Sequence, residues 1–321
     1  IGITATFLSW TYITDRIGAV KPRKIDWWGM LFLVLAVGSL QFVLEEGTAK
    51  DWFESDEIVV GSIVALFGLI AFIYRELSID YPAVNIRLYK NYNLVMGSIM
   101  NLMLGMLLFG TVFIFPLFAQ ISLGWTATQT GVFMIPGALC TAVAMPIVGK
   151  LLGNGTNPKT IIIVGIFLTF GFLMMLGVAS PDSNENDFYI PFFLRGFGMA
   201  FMMSPILSLA VGGLKGKDMA QAVGLANMIR QLGGAIGIAL LNLYLTNSNA
   251  QIRGNMLGYI NIYDTVSADR INLLTQNFVN AGRSLEEAQA LAYKMLEGTL
   301  YKQQALVSYN QGFLMVGFVI L

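Results

Sequence analysis

Nine apolar stretches alternate with polar joints along the chain: residues 1–14, 28–45, 58–74, 92–118, 129–151, 160–179, 188–212, 219–245 and 305–321. A helix needs roughly 20 residues, within a range of about 17–25, to cross a hydrocarbon layer about 30 Å thick. No backbone amide finds water inside that layer, so each crossing segment must satisfy its own hydrogen bonds as a helix. The pattern predicts an all-α, polytopic transmembrane bundle. One segment departs from it. Residues 246–304 are more polar, yet Ser284–Glu287 has capping-box spacing, and Ala288, Ala292, Met295, Leu296 and Leu300 follow on one helical face. Asp269–Val279 carries a second amphipathic pattern through Ile271, Leu274 and Phe278. This long segment is expected outside the membrane as a helical hairpin folded back on the protein or the lipid surface. A docking surface for a periplasmic or extracellular partner is the alternative.

Composition agrees and narrows the field. Apolar residues make up 56% of the chain and charged ones 12%, about half the charged share usual in soluble domains. Zero net charge leaves no electrostatic footprint for nucleic acid. With no His and a single Cys140, His-based catalysis, a thiolate metal cage and an internal disulfide are all excluded within these residues. No G-x-x-x-x-G-K-[ST] phosphate loop occurs, which argues against direct ATP drive. No cofactor signature is present. Ile1 opens inside one apolar run and Leu321 closes inside another, so the sequence is expected to be a piece of a longer chain.

Charge then orients the helices. Alternate joints carry Arg16, Lys21, Arg23, Lys24, Arg75, Arg87, Lys90, Lys150, Lys159, Lys215 and Lys217, whereas the opposite short joints carry only Lys50. The excess of basic residues marks the cytoplasmic side and predicts a multi-pass protein of the cytoplasmic (inner) membrane. Trp27, Trp28, Trp52 and Trp125 fall at stretch ends, as interfacial anchors should.

Three passages carry a resemblance. Gln41–Gly47 followed by Lys50–Ser55 reads QFVLEEG…KDWFES; Pro82–Asn91 reads PAVNIRLYKN; Gly224–Ala239 reads GLANMIRQLGGAIGIA. Their order and spacing resemble the fourteen-helix drug–proton antiporters of the major facilitator superfamily, the EmrB/QacA type. The resemblance implies that 1–14 ends a first six-helix bundle. It makes 15–91 a cytoplasmic joint plus two inserted helices, and 92–321 a second six-helix bundle with its last helix cut short. It also implies secondary active multidrug efflux: proton-coupled antiport of lipophilic, often cationic compounds by alternating access, with a periplasmic adaptor as a further partner. The basic joint Gly149–Lys159 has the shape of the superfamily's cytoplasmic loop but lacks its Asp-Arg pair.

Candidate residues follow. Arg195 and Arg230 are the charged residues well inside apolar stretches, and neither has an acidic partner in its own stretch. A centred arginine costs about 2.5–3.5 kcal/mol on insertion scales, so such residues usually face a cavity or a partner. Arg195 is close enough to the outer end for snorkelling as well. Arg230, with Gln231, is read as a gating position paired with a group in the other bundle. Gly233, Gly234 and Gly237 form a small-residue face, suited either to static packing or to sliding between bundles. On the helices the resemblance assigns to the cavity wall lie Asn101, Phe109, Gln120, Arg195, Met199, Met202 and Met203. Rivals are a proton-coupled symporter on the same scaffold and a membrane receptor or scaffold without transport. A membrane enzyme is a poorer fit, since no nucleophile–base pair or metal cluster appears in any stretch. The topology is directly testable: in a Cys140→Ser background, Lys50→Cys is expected to react with an impermeant maleimide added outside intact cells, and Lys159→Cys only after permeabilisation.

Overall fold

A computed structural model of the chain describes residues 2–12, 26–79, 84–181, 183–259 and 265–321. Arg16, Lys21, Arg23, Lys24 and Pro82 lie outside those residues. Ten α-helices account for nearly all of the described chain: α1 Gly2–Tyr12, α2 Trp27–Glu46, α3 Asp56–Ser78, α4 Tyr92–Ile121, α5 Ala127–Gly153, α6 Pro158–Gly177, α7 Glu185–Ala210, α8 Gly216–Tyr259, α9 Thr265–Asn280 and α10 Leu285–Ile320. Among the described residues no strand occurs, and seven helices, α2 to α8, are long and apolar enough to cross a membrane. The apolar run 305–321 is the second half of α10, continuous with the amphipathic pattern before it.

The joints follow from local chemistry. Thr126 and Gln129 close a reciprocal capping box at the start of α5. Asn157 caps α6, with Pro158 in the first turn, where its missing N–H costs nothing. Pro116, Pro136, Pro146, Pro191 and Pro205 all sit inside continuous helices, so none of them breaks a span. In the α2–α3 joint, Asp51 and Trp52 adopt left-handed φ values of 54° each, and the Trp52 N–H donates to the Gly47 carbonyl at 2.7 Å. The Trp52 ring then lies against Gly47, where a Cβ would approach it to 2.8 Å. Lys50 binds Glu57 across the same joint, and that hydrogen bond holds its ammonium above the usual lysine range.

Burial ranks the helices. Half of the span window is enclosed in α4 and in α7, against 22% in α3 and α5 and 17% in α2. α4 and α7 are therefore central, and the others turn broad apolar faces outward, as in Val60, Phe67, Val132, Leu139 and Phe167. Exposed apolar area on this scale is stable against lipid tails and not against water. Close packing uses small residues. The Arg230 carbonyl fills the niche over Gly105, and the Leu102 carbonyl the niche over Gly233, so α4 and α8 meet backbone to backbone. Gly137 and Gly196 bring α5 onto α7, with the Thr141 hydroxyl donating to the Gly196 carbonyl at 3.0 Å. Gly165 and Gly198 do the same for α6 and α7.

α2 and α3 pair through Gly68 against Ala36 and through an ion pair between the start of α2 and the end of α3. There Arg75 Nη2 and Asp26 Oδ1 are 2.9 Å apart, with Arg75 Nε also bonded to the carboxylate. α8 and α10 are the longest helices among the described residues, at 44 and 36 residues. At about 1.5 Å per residue the 44 residues of α8 span about 66 Å, twice the hydrocarbon thickness. Arg253 and Glu297 join the two extensions at 3.0 Å, and α9 packs along α10. The segment 246–304 thus comprises the prolonged end of α8 and, as expected, a helical hairpin of α9 and the start of α10 packed on each other; α10 then continues into the bundle.

A Cβ at Gly233 would overlap the Leu102 carbonyl, whereas one at Gly224 meets nothing within 4 Å. Gly233→Ala is therefore expected to cost about 1–3 kcal/mol or more through overpacking, and Gly224→Ala to be neutral. Thermal unfolding of the two purified variants in detergent checks this.

Candidate functional site

An aromatic core joins the end of α4, the start of α5 and the start of α7. Phe115 and Phe192 meet edge to face at 4.6 Å, and Trp125 meets Phe133 at 5.1 Å and Phe188 at 5.7 Å. Phe118 continues the core to Phe313 of α10 at 5.6 Å. Each such pair adds about 0.5–1.5 kcal/mol beyond the area it buries. Trp125 is folded into this core, between α5 and α7.

Just inward of the aromatic core stands Arg195. It sits ten residues into α7, about 15 Å from the helix start, one turn deeper than the apolar boundary alone suggests. Its Nε is sealed and bonded to nothing among the described residues, and its guanidinium carbon lies 5.8 Å from the Phe192 ring centre. A sealed donor left unpaired costs about 1–3 kcal/mol. Arg230 lies deeper still, fourteen residues into α8. Its carbonyl is pressed into the Gly105 niche at the middle of α4. It is half-buried, and no acidic side chain pairs with it among the described residues.

The remaining candidates do not converge on one cavity. Met199 and Met202 are 4% and 6% exposed, inside the core, and the Met202 sulfur accepts from the Thr169 hydroxyl on α6 at 3.7 Å. Their reading as an adaptable cavity lining is corrected: they fill the space between α7 and its neighbours. Asn101 is fully buried; its Nδ2 donates to the Gly97 carbonyl at 2.8 Å while Oδ1 is unpartnered. Phe109 covers Gly234 at the α4–α8 contact. Met203 is half-buried, and Gln120 and Gln231 are exposed. Gly233, Gly234 and Gly237 all face α4 of the same bundle, against Leu102, Phe109 and Met106. Of the two readings given for them, static packing and sliding between bundles, these contacts are the first, made within one bundle.

Two clefts are present elsewhere. A groove of about 430 Å³ between α6 and α7 is lined by Leu168, Ile190, Phe193, Leu194, Phe197 and Phe201. A smaller one of about 280 Å³ lies between α2 and α8, beside Leu33, Val84, Gln221, Gly224, Leu225 and Met228. Sequence reasoning also missed the charge cluster at the C-terminal end of α3. Glu76 is 1% exposed and accepts from the Val84 N–H at 3.2 Å, and a Cβ on Gly29 would touch both its carboxylate and that of Asp26. The signal available was an acid near the end of one span opposite an acid capping the span before it. Among the described residues no acidic or cysteine cluster could hold a metal ion.

This helix order, its glycine seams and its central α4 and α7 invite comparison with known transport proteins. Residues 58–238 match the Major Facilitator Superfamily. The chain belongs to that superfamily. Superfamily members are transporters and in general not enzymes. The chain is 27% identical over 315 residues to the fatty acid resistance protein FarB of Neisseria gonorrhoeae, covering 98% of this chain and 60% of that one. It is 27% identical over 314 residues to the multidrug export protein EmrB of Haemophilus influenzae, with the same coverage. The multidrug export protein EmrB of Escherichia coli K12 is 27% identical over 264 residues, or 82% of this chain and 52% of that relative. The chain thus spans little more than half the length of these relatives.

The unpartnered Asn101 oxygen yields a test within this superfamily bundle. Asn101→Leu removes a buried orphan acceptor and gives up one hydrogen bond, so fold stability is expected to stay level or rise by about 1 kcal/mol. A fall in the unfolding temperature of the purified variant would show that the oxygen has a partner in the whole protein.

Proposed function

We propose that this chain is part of a secondary active exporter of the EmrB type. It expels lipophilic compounds across the cytoplasmic membrane by alternating access, in exchange for protons. The observation that carries the reading is the superfamily match through α3 to α8, joined with multidrug export relatives that align along nearly the whole chain. On this reading residues 92–321 form the second of two bundles, α2 and α3 are the inserted pair, and a central cavity lies between the bundles. The outer extension of α8, α9 and α10 is the surface a periplasmic adaptor would meet.

Energetics are compatible with the exchange. One proton entering down about 100 mV releases about 2.3 kcal/mol, enough for roughly a fiftyfold gradient of a neutral compound. Among the described residues the spans α4, α5 and α6 hold no Asp or Glu, and those of α7 and α8 are confined to first turns. A proton-driven cycle therefore draws its titrating group from outside these spans. Arg230, unpaired at mid-depth, is the residue in this part on which gating is expected to depend.

Cells expressing the full-length protein are expected to extrude ethidium, and a protonophore to abolish extrusion. Arg230→Ala is expected to lower the rate tenfold or more at an unchanged protein level. Extrusion that survives the protonophore would falsify proton coupling. Normal extrusion by Arg230→Ala at normal abundance removes the gating role.

A further inference from the structure

The cleft between α2 and α8 has a polar mouth and an apolar interior. Gln221 is the lining residue nearest the start of α8, and Gly224, Leu225 and Met228 follow within about 11 Å. Leu33 lines the opposite wall, about 9 Å beyond Trp27 at the start of α2. Gly224 is exposed, and a Cβ on it would meet nothing within 4 Å, so the α8 wall lies open there. Four helix ends meet beside the mouth. Asp26 before α2 pairs with Arg75 of α3, and Val84 packs with Leu94 of α4 and Leu225 of α8. Exposed Trp27, Trp28, Tyr74 and Tyr92 stand at the ends of α2, α3 and α4, which puts this level at the lipid headgroups. The same ends are basic. Arg87 and Lys90 follow Val84, and Lys215 and Lys217 flank the start of α8, all four exposed. Asp218 offsets one of them, while Asp26 is held by Arg75. The larger groove between α6 and α7 is lined by apolar side chains alone and offers nothing that selects one lipid over another.

We propose that this cleft seats one anionic phospholipid between the α2–α3 pair and the bundle. An acyl chain lies against Leu33, Leu225 and Met228, the ester region meets the Gln221 amide, and the phosphate stands among Lys215, Lys217, Arg87 and Lys90. Basic pockets between membrane helices at headgroup level select anionic lipids, each lysine or arginine adding about fivefold to the affinity. The apolar interior accepts any acyl chain, so charge sets the choice of lipid and the cleft sets its place. The lipid also has a structural consequence. Only 17% of the α2 span window is enclosed by protein, and α2 packs on α8 beside this cleft. A lipid held there extends that limited seam and ties the α2–α3 pair to α8. The site is separate from any substrate path and does not depend on the efflux reading.

Native mass spectrometry of the full-length protein, delipidated in detergent and titrated with dioleoylphosphatidylglycerol or dioleoylphosphatidylcholine, tests this. The wild type is expected to bind its first phosphatidylglycerol tenfold or more tightly than its first phosphatidylcholine. Gly224→Leu fills the open wall without a clash and is expected to weaken that phosphatidylglycerol tenfold or more. The Lys215→Gln/Lys217→Gln double variant leaves the cleft open and is expected to cut the preference between the two lipids to threefold or less. A wild type without preference overturns the proposal. So does unchanged phosphatidylglycerol affinity in Gly224→Leu, which would mean that another part of the full-length protein fills the cleft. Displacement of the lipid by excess inorganic phosphate overturns it too, since the site would then hold the free anion. Should Gly224→Leu fail to accumulate, Leu33→Trp fills the cleft from α2 and decides by the same criterion.

Discussion

The seating of two carbonyls in glycine niches, Arg230 over Gly105 and Leu102 over Gly233, is the contact on which the bundle depends. Inside lipid there is no hydrophobic drive to press helices together, so association relies on close van der Waals approach. α4 and α8 achieve that approach at Gly105 and Gly233, where backbone meets backbone, before the Phe109 side chain closes over Gly234. Once α8 is fixed so tightly, α4 becomes the shared axis: α7 packs on its adjacent side, and α10 reaches it through Phe118 and Phe313. The aromatic core at the outer end then fills the widening space that glycine cannot fill.

This economy of side chains explains where charge can reside. Stripes that elsewhere hold alanine, glycine, methionine or phenylalanine admit a long cationic group only where a niche or a ring receives it. Arg195 has the Phe192 face, and Arg230 lies beside the Gly105 niche. The carboxylates of α2, α3, α7 and α8 collect at helix ends, where they cap N-termini or bind Arg75 or Lys50. Acidic and basic side chains alike thus gather at the ends of the spans, and Arg195 and Arg230 are the charges placed well inside α7 and α8.

Much of this was legible in the sequence. Seven of the nine apolar stretches stand as helices long and apolar enough to span, α2 to α8, because bilayer thickness and backbone satisfaction leave few alternatives. Ser284 as a cap and Asp269–Val279 as a helix were readable from local spacing. What was not readable depended on which neighbour a face meets. Gly233, Gly234 and Gly237 announce a close approach but do not name its partner, which is α4. Met199 and Met202 have the composition of a flexible cavity wall and are core because α6 closes over them through Thr169 and Gly165. Glu76 looked like one more charge at a membrane surface. Its burial comes from the fold of residues eight positions later, where Val84 supplies the backbone N–H.

α8 is one unbroken rod. About 29 residues, or about 44 Å, lie beyond Arg230. A tilt of about 10° pivoting on the Gly105 niche would swing the far tip by about 8 Å, and the Arg253–Glu297 link would draw α10 along. The helix is thereby a lever with a short arm of about 14 residues before Arg230 and a long arm of about 29 beyond it.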